Sequence, residues 1–312
     1  MGLRSIEICA GAGGQALGLE QAGFDHVALV EIEKAACVTL KLNRPEWNVI
    51  EGDVHSFSAE DYRGEVDLLA GGVPCPPFSV AGKQLGAADE RDLFPEALRL
   101  VEECEPRAVM LENVKGIFYP KFKDYRDQII SRLHAMGYKT WWNLVQASDY
   151  GVSQLRPRAV LVAIKEPWAS SFVWPSARSE IRQTVGELLH DQMASRGWEG
   201  ADEWAARASD IAPTLVGGSK KHGGADLGPT RARNAWANLG IDGKGLVDEA
   251  PTPGFEGMPR LTVRMAALVQ GFPEDWEFSG KKTAAYRQVG NAFPPPVAKA
   301  IGTAIKEALD AE

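Results

Sequence analysis

Short apolar segments alternate with helical segments from residue 5 to residue 164, and this alternation restricts the fold more than any other feature of the sequence. The predicted strands are Ser5–Cys9, His26–Glu31, Asn48–Glu51, Val66–Ala70, Ala108–Glu112, Lys139–Val145 and Ala159–Ile164, and the predicted helices are Gln15–Ala22, Glu33–Leu42, Pro95–Glu103 and Lys121–Met136. Such alternation predicts an open, mostly parallel, doubly wound α/β sheet. Ligands bind these sheets beyond the carboxyl ends of the strands.

The pattern changes after the last of these strands. From about Glu166 to Met258 the chain is rich in Gly, Trp, Arg and Pro and has only short periodic stretches, which predicts a smaller, irregular domain. Regular apolar spacing returns at Leu261–Val269 and Val297–Leu309. We therefore expect a first domain over residues 1–165, a second domain over residues 166–258, and a C-terminal segment, residues 259–312, that returns to the first domain.

Composition excludes several classes of protein. Hydrophobic residues make up 45% of the chain, which suffices for one large core or two modest ones. No apolar run is long enough to cross a bilayer, and the N-terminus lacks the pattern of a secretory signal. The four cysteines lie far apart and the five histidines are scattered, so we expect a cytoplasmic location and neither disulfides nor a metal site.

Charge is distributed unevenly along the chain. The net charge of −8 argues mildly against a nucleic-acid partner, because phosphate binding needs clustered Lys and Arg. The stretch Thr214–Gly245 is the exception, since it holds five basic residues against two acids: Lys220, Lys221, Arg231, Arg233 and Lys244 against Asp226 and Asp242. Contact with a nucleic acid therefore remains open for the second domain.

A glycine-rich turn joins the first strand to the first helix: Ala10, Gly11, Ala12, Gly13 and Gly14. Glycines let a ligand approach the backbone, and a helix N-terminus favours a carboxylate. Glu31, which ends the second strand, can accept hydrogen bonds from two ribose hydroxyls, and Asp53, after the third, can accept from an adenine amino group. A structural turn would explain the glycines alone, but the turn with two acids at strand ends favours a nucleoside cofactor. The turn does not match G-x-G-x-x-G.

A cysteine flanked by prolines follows the fourth strand, in Pro74-Cys75-Pro76-Pro77-Phe78-Ser79. Prolines remove backbone donors and fix φ, so the loop is stiff. A free cysteine is usually a small buried hydrophobe, and we expect this of Cys9, Cys37 and Cys104. Cys75 has no regular core position, so it is the candidate nucleophile.

Polar residues stand at two further strand ends. Glu112, in Glu112-Asn113-Val114, is either a solvated strand end or a proton donor near Cys75, with a pKa raised by partial burial. Arg156 and Arg158, in Gln154-Leu155-Arg156-Pro157-Arg158, are expected to point to the same face. They can bind phosphates or a polar base edge, or they are a solvated charged edge.

Together these residues resemble the DNA (cytosine-5) methyltransferase family of bacterial restriction-modification systems. The resemblance runs nearly end to end and in the order of the family's motifs: the glycine turn with Glu31 and Asp53, the Cys75 loop, Glu112-Asn113-Val114, Gln154-x-Arg156-x-Arg158, Arg260-Leu261-Thr262 to Gln270-Gly271-Phe272-Pro273, and Gln288-Val289-Gly290-Asn291-Ala292. Cys9 and Ile32 depart from the family, which commonly has aromatic residues at both positions against the adenine. The departures put adenine stacking in doubt, but not the identity of the cofactor.

The resemblance implies a Rossmann-like sheet that binds S-adenosylmethionine, without a metal. The implied cofactor residues are Ala10, Gly11, Ala12, Gly13, Gly14, Glu31, Ile32, Asp53, Val54, Pro74, Asn291 and Ala292. The implied catalytic residues are Cys75, which attacks carbon 6 of a flipped cytosine, with Glu112, Arg156 and Arg158. The implied DNA contacts, mostly in the second domain, are Ser79, Gln154, Thr214, Leu215, Lys220, Lys221, Arg231 and Arg233.

The expected partner is duplex DNA, with the protein acting as a monomer and a separate restriction endonuclease left open. Three alternatives are weaker. A tRNA methyltransferase of the same family has a shorter second domain. A non-catalytic DNA-binding regulator does not explain the intact Cys75, Glu112, Arg156 and Arg158. A nicotinamide oxidoreductase is expected to carry the G-x-G-x-x-G fingerprint, which this sequence lacks.

Overall fold

The computed structural model describes residues 2–74, 92–177, 183–218 and 224–311. Its sheet has seven strands: β1 (Leu3–Ile8), β2 (Phe24–Glu31), β3 (Val49–Glu51), β4 (Leu68–Gly72), β5 (Ala108–Val114), β6 (Tyr138–Gln146) and β7 (Pro157–Lys165). The order is β3-β2-β1-β4-β5-β7-β6, with β1 to β5 parallel and β7 antiparallel to both neighbours. The predicted doubly wound, mostly parallel α/β sheet is confirmed.

The helices are α1 (Gly14–Ala22), α2 (Lys34–Asn43), α3 (Phe94–Cys104), α4 (Lys123–Ala135), α5 (Val185–Ala194), α6 (Ala201–Arg207), α7 (Thr230–Asn238), α8 (Val263–Gln270), α9 (Lys282–Asn291) and α10 (Pro295–Asp310). Both faces of the sheet are covered, which explains why the strands are nearly continuous apolar runs. On β5, Met110 lies in the core with Ile301 of α10, whereas Val109 lies in the core with Leu98 of α3.

The C-terminal helix α10 packs beside α1 through small residues. A Cβ on Gly18 of α1 would lie 2.4 Å from the carbonyl oxygen of Pro295, and one on Gly302 of α10 would lie 2.9 Å from the Leu19 side chain. The two helices therefore approach so closely that neither glycine can carry a side chain. This contact brings the end of the chain onto the same face of the sheet as α1.

Residues 183–258 contain more regular structure than the sequence predicted. Helices α5, α6 and α7 lie here, and the fully buried Trp204 and Trp236 belong to a core shared with α8 and α9. A Cβ on Gly186 of α5 would lie 2.0 Å from the carbonyl oxygen of Ala205 in α6, so these helices also cross closely. These helices have only seven to ten residues each, so each one gives too short a run of apolar periodicity to be recognised in the sequence.

Cysteine placement agrees in part with expectation. Cys37 and Cys104 are free and buried. Cys9 was expected to be a buried hydrophobe, and this was wrong: it is half-buried, follows the end of β1 with a φ of 52°, and lines a cavity. Within the described residues, no helix has the length and apolar character to cross a bilayer.

Candidate active site

A cavity of about 560 Å³ opens at the carboxyl ends of the central parallel strands. This volume lies within the range of small-ligand sites, and the location is the one expected for a doubly wound sheet. Its lining includes seven of the predicted cofactor residues: Ala10, Gly11, Ala12, Gly14, Glu31, Asn291 and Ala292. Glu112, predicted as a catalytic acid, lines the same cavity. The structure therefore brings the cofactor prediction and one part of the catalytic prediction together in a single space.

The glycine turn forms one wall of this cavity. Gly11 and Gly13 have φ values of 53° and 85°, which favour glycine. A Cβ on Gly13 would lie 2.7 Å from the Leu40 side chain and 2.9 Å from the Trp276 ring, and Trp276 Nε1 donates to the carbonyl oxygen of Ala12 at 3.2 Å. Gly13 thus packs behind the turn rather than lining the cavity, and it fixes the turn against α2 and the C-terminal segment.

Glu31 stabilises the turn as well as lining the cavity. Its carboxylate accepts hydrogen bonds from the backbone N–H of Gly11 and of Glu33, both at 2.7 Å. Burial raises the pKa of Glu31, while these backbone hydrogen bonds act in the opposite direction. Glu31, which the sequence analysis assigned to ligand binding, therefore also stabilises the glycine turn.

The remaining predicted cofactor residues lie outside the cavity lining. Asp53 is exposed, and its carboxylate accepts from the backbone N–H of His55 at 3.0 Å and bonds His55 Nδ1 at 2.7 Å, contacts that lower its pKa. Ile32 is 62% exposed. Val54 is buried and Pro74 is exposed. The Asp53 carboxylate is close enough to Cys9 to contribute to that thiol's pKa.

Two buried polar residues in the cavity wall were missed by the sequence interpretation. Glu7 of β1 is 1% exposed and Gln15 of α1 is 4% exposed. Glu7 Oε2 and both amide atoms of Gln15 have no hydrogen-bond partner among the described residues. Burial raises the pKa of Glu7 well above its ordinary value, and the nearby Glu31 charge raises it further. The signal in the sequence was an acid between Ile6 and Ile8, inside an apolar strand.

Cys9 lies among these carboxyl groups. Burial, followed by the charges of Glu31, Glu7 and Asp53, raises the pKa of the Cys9 thiol to about 12. The thiol is therefore protonated at neutral pH and unsuited to nucleophilic attack. Cys9 shapes the cavity wall without supplying a reactive sulfur.

Glu112 and Arg158 form a nearly buried ion pair. The distance from Arg158 Nε to Glu112 Oε1 is 2.6 Å, and the two side chains are only 12% and 13% exposed. Burial raises the pKa of Glu112, although the positive charges of Arg158 and Arg156 oppose this shift. A carboxyl held in one orientation with a raised pKa is suited to donate a proton or a hydrogen bond to a base.

Arg156 has a different role from the one expected. Its side chain is fully buried and donates to three backbone carbonyls, those of Leu215 at 2.9 Å, Gly290 at 2.8 Å and Ala292 at 3.0 Å. The expectation that Arg156 contacts the base is therefore corrected: it joins β7, the second domain and the end of α9. Arg158 alone of the two lies beside Glu112.

Gln154 and Leu215, expected at the DNA surface, are also buried. Gln154 accepts from the backbone N–H of Leu215 at 2.8 Å and donates to Gln270 at 2.7 Å. The expectation of direct DNA contact is corrected for both, because their polar atoms are used inside the protein. Thr214 is half-buried and donates to the carbonyl oxygen of Leu155. An alternating polar motif does not reveal which of its residues face inward.

The segment predicted to be the second domain reaches the cavity at Gly218, whose carbonyl oxygen accepts from Asn291 at 3.3 Å. Arg287 of α9 also lines the cavity, and its Nε has no hydrogen-bond partner among the described residues. Arg231 and Arg233 lie on α7, where Arg231 is exposed and Arg233 is half-buried. Cys75, Ser79, Lys220 and Lys221 lie outside the described residues.

The backbone that leads to Cys75 is described as far as Pro74. Asn113 donates to the carbonyl oxygen of Val73 at 2.8 Å, and the backbone N–H of Leu93 donates to the carbonyl oxygen of Pro74 at 3.3 Å. Asn113, the residue after Glu112, thus fixes the start of the cysteine loop at the edge of the sheet where Glu112 stands. Within the described residues, no group of His, Cys, Asp and Glu side chains has the arrangement of a metal site.

Comparison with known proteins gives consistent matches along the whole chain. Residues 3–307 match the family described as C-5 cytosine-specific DNA methylase. The type II methyltransferase M.NgoMIV of Neisseria gonorrhoeae is 58% identical over all of both chains, and M.NaeI of Lentzea aerocolonigenes is 57% identical over 99% of this chain and 76% of its own. The S. pombe Dnmt2 methyltransferase has a TM-score of 0.66 at 17% identity over 99% of each chain, which shows a shared fold.

Proposed function

The chain belongs to the C-5 cytosine-specific DNA methylase family, and from this premise we propose which of its residues carry out methyl transfer to carbon 5 of cytosine in DNA. The observation that carries the proposal is the single cavity that joins the glycine turn and Glu31 to Glu112. One part of this cavity fits a nucleoside cofactor. The other part holds a nearly buried acid, Glu112, at the edge of the sheet where the cysteine loop begins.

The donor part fits S-adenosylmethionine, which supplies a methyl group made electrophilic by a positively charged sulfur. The backbone N–H groups of the glycine turn and the start of α1 suit its carboxylate. Glu31 and Asp53 suit the ribose hydroxyls and the adenine amino group, with Asp53 at the rim because it is exposed. The unpartnered Glu7 Oε2 and the Gln15 amide suit the donor's cationic and polar groups, because buried polar atoms need partners.

The base part carries the covalent chemistry. A target cytosine enters after it has been flipped out of the duplex. Cys75 Sγ forms a bond to carbon 6 as Glu112 protonates or hydrogen-bonds nitrogen 3, and carbon 5 becomes nucleophilic. Carbon 5 then bonds to the methyl group as the bond between that methyl group and sulfur breaks, and S-adenosylhomocysteine is the leaving group. Loss of the carbon 5 proton to a base and cleavage of the bond between Cys75 and carbon 6 release 5-methylcytosine.

Arg158 holds Glu112 for this step. The 2.6 Å ion pair fixes one carboxyl oxygen, which leaves the other to face the base. The guanidinium also stabilises negative charge that forms on the base during attack. Arg156 acts at a distance as a positioning residue, because it fixes the backbone at Leu215, Gly290 and Ala292 around the cavity.

The second domain, residues 166–258, is proposed to select the DNA sequence. Arg231 and Arg233 of α7 are described surface candidates for contacts with phosphates or guanine edges, and Lys220 and Lys221 lie in the adjoining segment. We propose that the protein acts as a monomer on one duplex sequence, in a type II system like those of its relatives, with any endonuclease a separate protein. Binding that depends on phosphates should weaken steeply with salt.

The test is a comparison of the wild type with Cys75→Ala and Cys104→Ala, a control that removes a buried thiol away from the cavity. We expect Cys75→Ala to bind S-adenosylhomocysteine normally and to transfer no measurable methyl group to plasmid DNA. The Cys104 variant should remain active. Bisulfite sequencing of the plasmid gives the methylated sequence, and normal turnover by Cys75→Ala would refute the covalent role.

A further inference from the structure

Two consecutive glycines end β4, and the structure explains only the first by packing. A Cβ on Gly71 would lie 2.6 Å from the Ile8 side chain and 2.8 Å from the Ile8 carbonyl oxygen, so no side chain fits there. A Cβ on Gly72 would have its nearest neighbours at 3.5 Å, Glu112 Oε2, and 3.9 Å, the carbonyl oxygen of Cys9. These are ordinary contacts, and the φ of Gly72 lies outside the left-handed region. Neither packing nor backbone conformation therefore requires glycine at residue 72.

The space beside Gly72 lies inside the cavity. Gly72 pairs with Glu112 across β4 and β5, and Gly71 pairs with Ile8 across β4 and β1, so Gly72 lies between Cys9 and Glu112. All three residues line the cavity. Because side chains alternate along strands, a residue at 72 would point to the same face as Glu112. A side chain there would stand between the glycine-turn part and the Glu112 part.

We propose that Gly72 is a positioning residue whose missing side chain leaves the passage through which the methyl group crosses from the donor to carbon 5 of the base. This inference rests on the proposed function, since it needs the donor at the glycine turn and the base at Glu112. The transferred methyl group leaves sulfur and bonds to carbon 5 in one step, so both atoms must approach closely. One extra carbon in the passage keeps them apart.

The experiment uses Gly72→Ala in the full chain, with Gly52→Ala as the control. Gly52 follows β3 at the same edge of the sheet, has no atom within 4 Å of an added Cβ, and lies outside the cavity lining. We expect Gly72→Ala to reduce kcat for methyl transfer by about 100-fold, because a displacement of 1 Å between reacting groups costs about that factor. The affinity for S-adenosylhomocysteine, the KM for DNA and the thermal midpoint should be unchanged, and Gly52→Ala should match the wild type.

A second measurement distinguishes an effect on methyl transfer through the passage from an effect on the addition of Cys75 to the base. Without donor, Cys75 can still add to carbon 6, carbon 5 can take a proton from water and lose its original hydrogen, and Cys75 can leave. Tritium release from carbon 5 reports this cycle. We expect Gly72→Ala to release tritium at the wild-type rate while methyl transfer slows by about 100-fold.

Each result of these experiments either supports or overturns the proposed role of Gly72. An unchanged kcat, or equal losses of tritium release and methyl transfer, would overturn the role in passage. Loss of folding or of both ligand affinities would show that Gly72 is structural, which also overturns it. A wild type that neither methylates DNA nor releases tritium would instead refute the proposed function.

Discussion

The two ends of the cavity contain one buried glutamate, Glu7, and one nearly buried glutamate, Glu112, in opposite electrostatic surroundings. Glu112 has Arg158 at 2.6 Å, whereas no salt bridge among the described residues involves Glu7, and Glu7 Oε2 has no hydrogen-bond partner there. Burial raises the pKa of both carboxyls, but only Glu112 has cations that oppose the shift.

A buried charge is costly unless it is paired. The presence of a cation beside Glu112 and its absence beside Glu7, among the described residues, therefore indicate that the two glutamates have different roles. Glu112 is held in place before the substrate arrives and is ready for proton transfer. We infer that a cationic ligand supplies the counter-charge of Glu7. Arg156 contacts the backbone carbonyls of Leu215 and of the end of α9, and so holds in place the part of the cavity wall that Ala292 forms.

The largest effect is expected from Glu112→Gln. The glutamine amide can donate a hydrogen bond to nitrogen 3 but cannot transfer a proton, so kcat should fall by about 10²–10⁴-fold, the usual value of general acid–base catalysis. Affinity for S-adenosylhomocysteine should be retained, because the change lies at the base end. Steady-state kinetics and calorimetric titration measure the two quantities.

Glu65→Gln is the matched control, since Glu65 forms an exposed ion pair with Arg4. It should keep wild-type kcat. A Glu112→Gln variant with normal kcat, or one that loses affinity for the product as strongly as it loses kcat, would remove the distinction between the two ends of the cavity.

The sheet and the family motifs were predictable because their signals are local. Alternating strands and helices predicted the doubly wound fold, and the glycine turn with Glu31 predicted a ligand site at a place where the structure has a cavity. The family assignment from these motifs is confirmed by the match over residues 3–307.

The misassigned residues depend on contacts between distant segments. Gln154 and Arg156 belong to the same motif as Arg158, yet their partners Leu215, Gln270 and Gly290 are remote in the sequence. Glu7 was overlooked because an acid in a strand is ordinary until the structure shows that it is buried and that its Oε2 has no hydrogen-bond partner among the described residues. The sequence gives the type and the order of the residues. It does not show whether a polar side chain points to solvent or forms its hydrogen bonds inside the protein.

Arg156→Met tests the contacts that join Leu215 to the end of α9. The variant loses three hydrogen bonds from a charged donor and leaves buried carbonyls unpaired, so the free energy of unfolding should fall by about 3 kcal/mol. Urea denaturation measures the change. Arg132→Met, which breaks an exposed ion pair with Glu102, should change it by less than about 1 kcal/mol. Equal, small losses in both variants would show that Arg156 does not hold these two segments together.

The smallest effect is expected from Glu7→Gln. This variant tests the part of the cavity that is proposed to bind the methyl donor. The donor carries a positive charge on sulfur that S-adenosylhomocysteine lacks, so loss of the Glu7 charge should weaken donor binding about tenfold and product binding less. Because the pKa of Glu7 is raised above its ordinary value of 4.5, the free carboxyl is protonated at low pH. Donor affinity should therefore increase as pH rises through that raised pKa in the wild type. The increase should be smaller in Glu7→Gln, where Glu31, whose pKa is also raised, still titrates.

The control is Glu46→Gln, because Glu46 is exposed and outside the cavity lining. Isothermal titration of donor and product between pH 5 and pH 8 gives both affinities. If Glu7→Gln lowers the affinity for donor and product equally and keeps the wild-type pH dependence, then Glu7 is a buried structural acid. Its charge then does not contribute specifically to binding of the methyl donor. If the donor alone weakens and the pH dependence shrinks, the same residue type serves ligand binding at one end of the cavity and proton transfer at the other.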